Sequence, residues 1–129
     1  MTRNVSVSSG PLNYAQAVSV GAHVLQSEEP VDVCGGDMGP NPHELLMASL
    51  GACTSITVQM YAQRKQWNLQ RVHVDVAYER VPAADNATSG ATIGMVDRLE
   101  MQISLSGDLS EDQRNRLFEI ANRARFIAY

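Results

Sequence analysis

Polar and apolar positions alternate in short steps over residues 3–8 and 14–26, where YAQAVSVGAHVLQ mixes small, polar and β-branched side chains. That rhythm predicts a strand and then a hairpin with Gly21 near its turn. The next stretch, EEPVDVCGGDMGPNP, breaks every period with glycine and proline and reads as a loop. Further on, Val72, Val74, Val76 and Tyr78 alternate with His73, Asp75, Ala77 and Glu79, the pattern of a strand with one apolar and one wet face. A second such strand sets Leu99, Met101, Ile103 and Leu105 inward and Arg98, Glu100, Gln102 and Ser104 outward. Residues 82–91, PAADNATSGA, form the loop between them; Asn86-Ala87-Thr88 matches a glycosylation sequon that means nothing without export.

Two helices have readable starts. Asn41 suits an N-cap, Pro42 the first helical position and Glu44 the third, which makes a capping box. No charged residue follows from Leu45 to Gln63, and Arg64 and Lys65 then favour the C-terminal end of the helix dipole. So long an uncharged run raises the possibility of a membrane span. Ser49, Gly51, Thr54, Ser55, Thr57, Gln59 and Gln63 are too many polar or small residues for one, and a helix buried within the protein or against a partner subunit is expected. Ser110-Glu111-Asp112-Gln113 is a second capping box, and Leu117, Ile120, Ala121 and Ala124 give the helix behind it one apolar face. Strands, long helix, strands, amphipathic helix is an α+β order, and 129 residues without internal repeat fit one domain, 1–129.

Composition narrows the functional classes. A net charge of −4 gives no general attraction to nucleic acid or anionic membrane. The start, MTRNVSVSSG, lacks the basic-then-apolar order of a signal peptide, so a cytoplasmic location with free thiols is expected. Cys34 and Cys53 are too far apart for a C-x-x-C hook, and His23, His43 and His73 show no ligand spacing, so neither metal nor other cofactor is expected.

Cys53 lies in the least polar part of the long helix. Leu46, Leu50, Cys53, Thr57 and Met60 follow at helical spacing, so one reading is a cysteine packed as a small hydrophobe. Its place about 18 Å from the helix start puts it beyond the helix dipole, and a reactive thiolate there needs a cation from elsewhere in the fold.

The stretch GGDMGPNPHELLMASLGACTSITVQMYAQRKQWNLQRVHVDVAYER resembles the core of the OsmC/Ohr family of bacterial redox proteins, in particular its general OsmC-like branch. There Gly-Pro-x-Pro and Glu-Leu-Leu precede a helical Ala-Cys-Thr, and DRLEMQISLSGDLSEDQRNRLFEIA is similar to the family's second half. The resemblance implies antiparallel sheets around a long buried central helix in an intertwined homodimer, with reactive sites at the dimer interface. It also implies thiol peroxidase chemistry on organic hydroperoxides, with Cys53 at the attacking position and a dithiol reductant completing the cycle.

The chain departs from that pattern in three places. Ala124 stands where the family's late second cysteine is expected, and the chain stops at Tyr129 where many relatives continue into a terminal strand. His43 stands ten residues before Cys53, where the peroxidases have a glutamate, and Glu44 is one position later. No Arg or Lys occurs from residue 4 to 63, so the activating cation would be protonated His43 or one of Arg64, Arg98, Arg123 and Arg125. Cys34 lies close to where relatives keep that arginine. Its seven-residue span to Asn41 can extend about 23 Å, so a Cys34–Cys53 disulfide is sterically conceivable and Cys34 is a candidate resolving thiol.

Two functions are therefore expected from the sequence. One is a thiol peroxidase with Cys53 as nucleophile, assisted by Glu44, His43 and Cys34, in an apolar pocket lined by Leu46, Met47, Leu50 and Met60. The other is a dimer without peroxidase chemistry that binds a small apolar or electrophilic ligand at its interface.

Overall fold

The computed structural model describes residues 3–11, 13–82 and 94–124, arranged in two compact units, Met1–Leu46 and Met47–Tyr129. The sequon at Asn86, Arg125 and the side chain of Ala124 lie outside the described residues.

The first unit is a three-stranded antiparallel sheet of β1 (Val5–Ser9), β2 (Gln16–Val20) and β3 (His23–Ser27). Val20 pairs with His23 across a two-residue turn. Gly21 takes φ 59° there, the positive value that the first position of a tight hairpin turn demands. Beyond β3 the predicted loop is folded back and pinned. Ser27 Oγ donates to the Pro40 carbonyl at 2.8 Å, and the buried Glu28 carboxylate accepts the backbone N–H groups of Gly36 (2.7 Å) and Met38 (3.0 Å). A single 3₁₀ turn, Val31–Val33, ends on Cys34.

Helix α1 (Pro42–Lys65) starts where the sequence places it. Asn41 Oδ1 accepts the Glu44 N–H and Glu44 Oε1 accepts the Asn41 N–H, both at 2.8 Å, the reciprocal pair of a capping box. It stops at Gln66, whose φ of 57° is left-handed. Trp67 N donates to Ala62 O and Gln66 N to Gln63 O, the paired bonds of a Schellman ending. Among the described residues α1 is the one helix long and apolar enough to cross a membrane, yet one stripe of it is packed into a core.

In the second unit β4 (Asn68–Pro82) and β5 (Met95–Asp108) form a long antiparallel ribbon with the predicted inward and outward sets. A bulge between Leu69 and Arg71 leaves Gln70 unpaired and turns Gln70 and Arg71 outward in succession, while Leu69 and Val72 both stay inward. Opposite it Gly107 adopts φ 144°, where a Cβ would collide with the Asn68 carbonyl. Helix α2 (Glu111–Ala124) opens with the second capping box, Ser110 and Gln113 exchanging bonds of 2.9 and 3.1 Å. Arg114 then anchors α2 to β5 by donating to the carbonyls of Leu105 (2.9 Å) and Gly107 (3.0 Å).

The core consists of Val58 and Ala62 from α1 and Leu117 and Ala121 from α2, with Trp67, Leu69, Val72, Ile103 and Leu105 packed against it. Complete burial of a side chain such as Leu117 contributes about 2–3 kcal/mol. The stripe of α1 that faces this core is Thr54, Val58 and Ala62, one residue later than the Leu46–Leu50–Cys53–Thr57–Met60 stripe singled out in the sequence. Thr54 belongs there because its hydroxyl meets Met101 Sδ at 3.7 Å. The neighbouring face is open: Leu46 is 55% exposed, Ile56 49% and Met60 61%.

Candidate thiol site and arginine groove

Cys53 is half-buried on α1, on the stripe that also carries the exposed Leu46 and Met60. Its carbonyl accepts the Thr57 hydroxyl at 2.7 Å, a bond back along the helix that fixes the Thr57 rotamer. Cys34 is exposed at the end of the 3₁₀ turn and holds φ 69°. Neither Cys34 nor Cys53 is in a disulfide, and each belongs to a different compact unit. Of the other candidates, Glu44 has its carboxylate engaged in the cap of α1, and His43 is exposed at the second helical position. Arg98 pairs with Glu100 on the outer face of β5.

Thr57 also begins a groove of about 860 Å³ formed by the second half of α1 and by α2. One turn of helix, a rise of about 6 Å, separates Cys53 from it. Of the pocket residues expected from the sequence, Met60 lines it, while Leu46, Met47 and Leu50 do not. Its apolar surface comes from Met60, Tyr61 and Ile120, and three arginines, Arg64, Arg116 and Arg123, share its wall.

Tyr61 organises the positive charge. Arg116 Nε donates to its phenol oxygen at 3.0 Å, and Arg116 Nη1 pairs with Glu119 at 2.8 Å. The guanidinium carbons of Arg64 and Arg116 and the ammonium of Lys65 lie 5.6, 5.5 and 5.7 Å from the ring centroid, within cation–π range. Trp67 meets the ring edge-on at 5.7 Å. The hydrogen bond from Arg116 pulls the Tyr61 phenol below its usual acidity range, while the same bond raises Arg116. Tyr61 and Arg116 are the functional candidates that sequence reading missed. Arg116 sits on the charged side of an amphipathic helix, where a solvated face is the ordinary interpretation, and only the packing of α2 on α1 brings it to Tyr61.

Among the described residues no cluster of three His, Cys, Asp or Glu side chains is placed to hold a metal ion. The arrangement offers a thiol at the border of a groove with apolar and cationic walls.

Comparison with known proteins follows the same lines. The chain is similar in fold to an osmotic stress induced and detoxification response protein from Psychrobacter arcticus, with TM-score 0.71 and 16% identity over 100% of this chain and 88% of that one. An OsmC-like protein from Mycoplasma pneumoniae aligns with TM-score 0.72 and 12% identity, covering 98% and 89% of the two chains. The organic hydroperoxide resistance protein OhrB of Bacillus subtilis aligns with TM-score 0.63 and 16% identity, covering 95% and 84%. No curated protein sequence matches the chain. The model of the OsmC-like protein family matches residues 35–128, from the residue after Cys34 through α2, and the chain belongs to that OsmC/Ohr family.

Proposed function

We propose that this chain is a cysteine-based redox protein that reduces organic hydroperoxides, with Cys53 as the nucleophile. The observation that carries the reading is Cys53 itself: a half-buried thiol, outside any disulfide, one helical turn from a groove with apolar and cationic walls. Family membership and structural relatives described as organic hydroperoxide resistance proteins support it. The Cys53 thiolate attacks the terminal peroxide oxygen and the O–O bond breaks. The alkoxide takes a proton and leaves as an alcohol, and sulfur is left as a sulfenic acid. A dithiol reductant then returns Cys53 to the thiol, becomes a disulfide itself and releases water. Arg64, Arg116 and Arg123 supply the positive field that a thiolate on this helix needs, since α1 has no Arg or Lys before Arg64. A homodimer in which a second copy covers Ile56 and Met60 accounts for the uncharged, exposed face of α1. A reducing compartment such as the cytoplasm suits two cysteines outside any disulfide.

A second reading, a binding protein without turnover, is favoured by one observation: Glu44, the nearest carboxylate to the family's catalytic position, is occupied as a helix cap. Peroxide consumption with cumene hydroperoxide and a dithiol separates the two. Wild type and Cys34→Gly are expected to turn over and Cys53→Ser to lose activity at least a hundredfold; glycine suits the left-handed backbone at position 34. Equal rates for wild type and Cys53→Ser would leave the binding reading. Loss of turnover in Cys34→Gly, with Cys53 intact, would assign Cys34 the resolving role.

A further inference from the structure

Trp67, the single tryptophan, and Tyr61 meet where α1 ends. Their ring centroids lie 5.7 Å apart at an interplanar angle of 66°, edge against face. Electron tunnelling weakens steeply with distance, so two rings in contact exchange an electron far faster than either does with a remote side chain. Tyr78 is remote in this sense, since the strand from Leu69 to Tyr78 spans about 30 Å. Half-buried Trp67 packs against the core and also borders a recess of about 70 Å³ with Gln59, Gln63 and Gln70. Part of the indole is therefore within reach of a small oxidant.

The surroundings of Tyr61 decide what form an oxidised ring takes. Arg64, Lys65 and Arg116 place positive charge 5.6, 5.7 and 5.5 Å from its centroid, so a cationic ring radical is strongly disfavoured. A neutral phenoxyl meets no such repulsion, and forming it needs only that the phenol proton leave with the electron. Arg116 Nε donates to the phenol oxygen at 3.0 Å, a charge-assisted bond that a phenoxyl oxygen can still accept. The depressed acidity range of Tyr61 fits the same picture, because its proton is held more loosely than usual.

We propose that Trp67 and Tyr61 form a one-electron relay, in which an alkoxyl radical oxidises Trp67 and the oxidation comes to rest on Tyr61 as a neutral phenoxyl. In the first step the indole gives up an electron and its N–H proton, leaving an indolyl radical, and the alkoxyl radical becomes an alcohol. In the second step Tyr61 passes an electron to Trp67. The phenol proton goes to water, and the indole nitrogen takes a proton back from water. The net change is one hydrogen atom moved from the Tyr61 hydroxyl to the alkoxyl oxygen. A low-molecular-weight thiol then returns a hydrogen atom to the phenoxyl and becomes a thiyl radical. The tryptophan that packs on the core is left intact. The relay uses neither Cys34 nor Cys53 and stands whether or not Cys53 reduces peroxides.

Pulse radiolysis of the full chain with azidyl radicals, which oxidise indole in preference to phenol, tests the relay. The indolyl absorption should decay in a first-order step matched by the rise of the phenoxyl absorption, at a rate independent of protein concentration. Tyr61→Phe, with circular dichroism unchanged, should abolish the rise and lengthen the indolyl lifetime at least tenfold. Tyr78→Phe and Cys53→Ser should match wild type, and the second of these keeps the test apart from the fate of the peroxidase reading. tert-Butoxyl radicals in place of azidyl should give the same phenoxyl in wild type. An indolyl lifetime unchanged in Tyr61→Phe, a phenoxyl rise that quickens with protein concentration, or no phenoxyl in wild type with either oxidant would each overturn the proposal. The wild-type kinetics remain decisive even if Tyr61→Phe does not fold.

Discussion

Nε of Arg116 donates to the phenol oxygen of Tyr61 at 3.0 Å, so a side chain of α2 sets the acidity of one on α1. The bond holds the Tyr61 phenol below its ordinary value of 10.0. Tyr78 is its opposite: its hydroxyl donates to Asp97 at 2.7 Å, and that bond holds it above 10.0. The signs then differ. A depressed phenol adds stability that is complete above the unfolded value and lost as pH falls through the folded one; a raised phenol adds stability that is complete below the unfolded value and lost as pH rises through the folded one. The contribution of Tyr78 is therefore complete well below 10.0, and that of Tyr61 is complete only above it. Ultraviolet difference titration should resolve one early and one late component. Arg116→Gln should move the early one up and Asp97→Asn the late one down; an early component unmoved by Arg116→Gln would dissociate the pair.

Glu28 is a buried carboxylate whose oxygens close the loop that carries Cys34. Glu28→Ala leaves the N–H groups of Gly36 and Met38 without their acceptor and should cost about 2–3 kcal/mol. Hydrogen exchange is the sharper readout. Those two amides should lose protection while the amides of β4 and β5 keep theirs.

Two glycines in the second unit should respond in opposite ways to the same methyl group. At Gly51 an added Cβ would meet Val76 at 3.4 Å and Val74 at 3.8 Å, ordinary contact distances. Gly51→Ala should therefore gain up to about 1 kcal/mol from helix propensity. Gly107→Ala forces φ 144° on a residue with a side chain and drives it into the Asn68 carbonyl, and should cost about 2–4 kcal/mol. Urea midpoints that moved in the same direction for both would contradict the geometry.

Val58 and Met60 stand two residues apart on α1, one fully buried and the other 61% exposed. Val58→Ala should cost about 2 kcal/mol at any concentration. Met60→Ala should stay within about 0.5 kcal/mol at high dilution. A Met60→Ala cost that grows with protein concentration would place that side chain under a second copy.

These pairs also show how far the sequence could be read. Both capping boxes, the Gly21 hairpin and the alternation in β4 and β5 were legible because each is decided by residues a few positions apart. The phase of α1 was not. With no charge from Leu45 to Gln63, nothing in the helix marks a wet side, and Thr54 reads as polar until Met101 is seen beside its hydroxyl. The local reading of Glu44 as a cap matches its hydrogen bonds. The groove escaped notice because it is built from residues some fifty positions apart, as in the pair Tyr61 and Arg116.

The bulge in β4 makes Gln70 a spare residue. Leu69 and Val72 both face inward only because two outward residues lie between them. Removing Gln70 would leave Leu69, Arg71 and Val72 in simple alternation, with both apolar side chains still on the core side. Removing a residue further along, such as His73, would instead turn every earlier side chain of the strand over. The ribbon thus has one place where its length can change by a residue without exchanging its dry and wet faces, and that place lies at the end nearest α1.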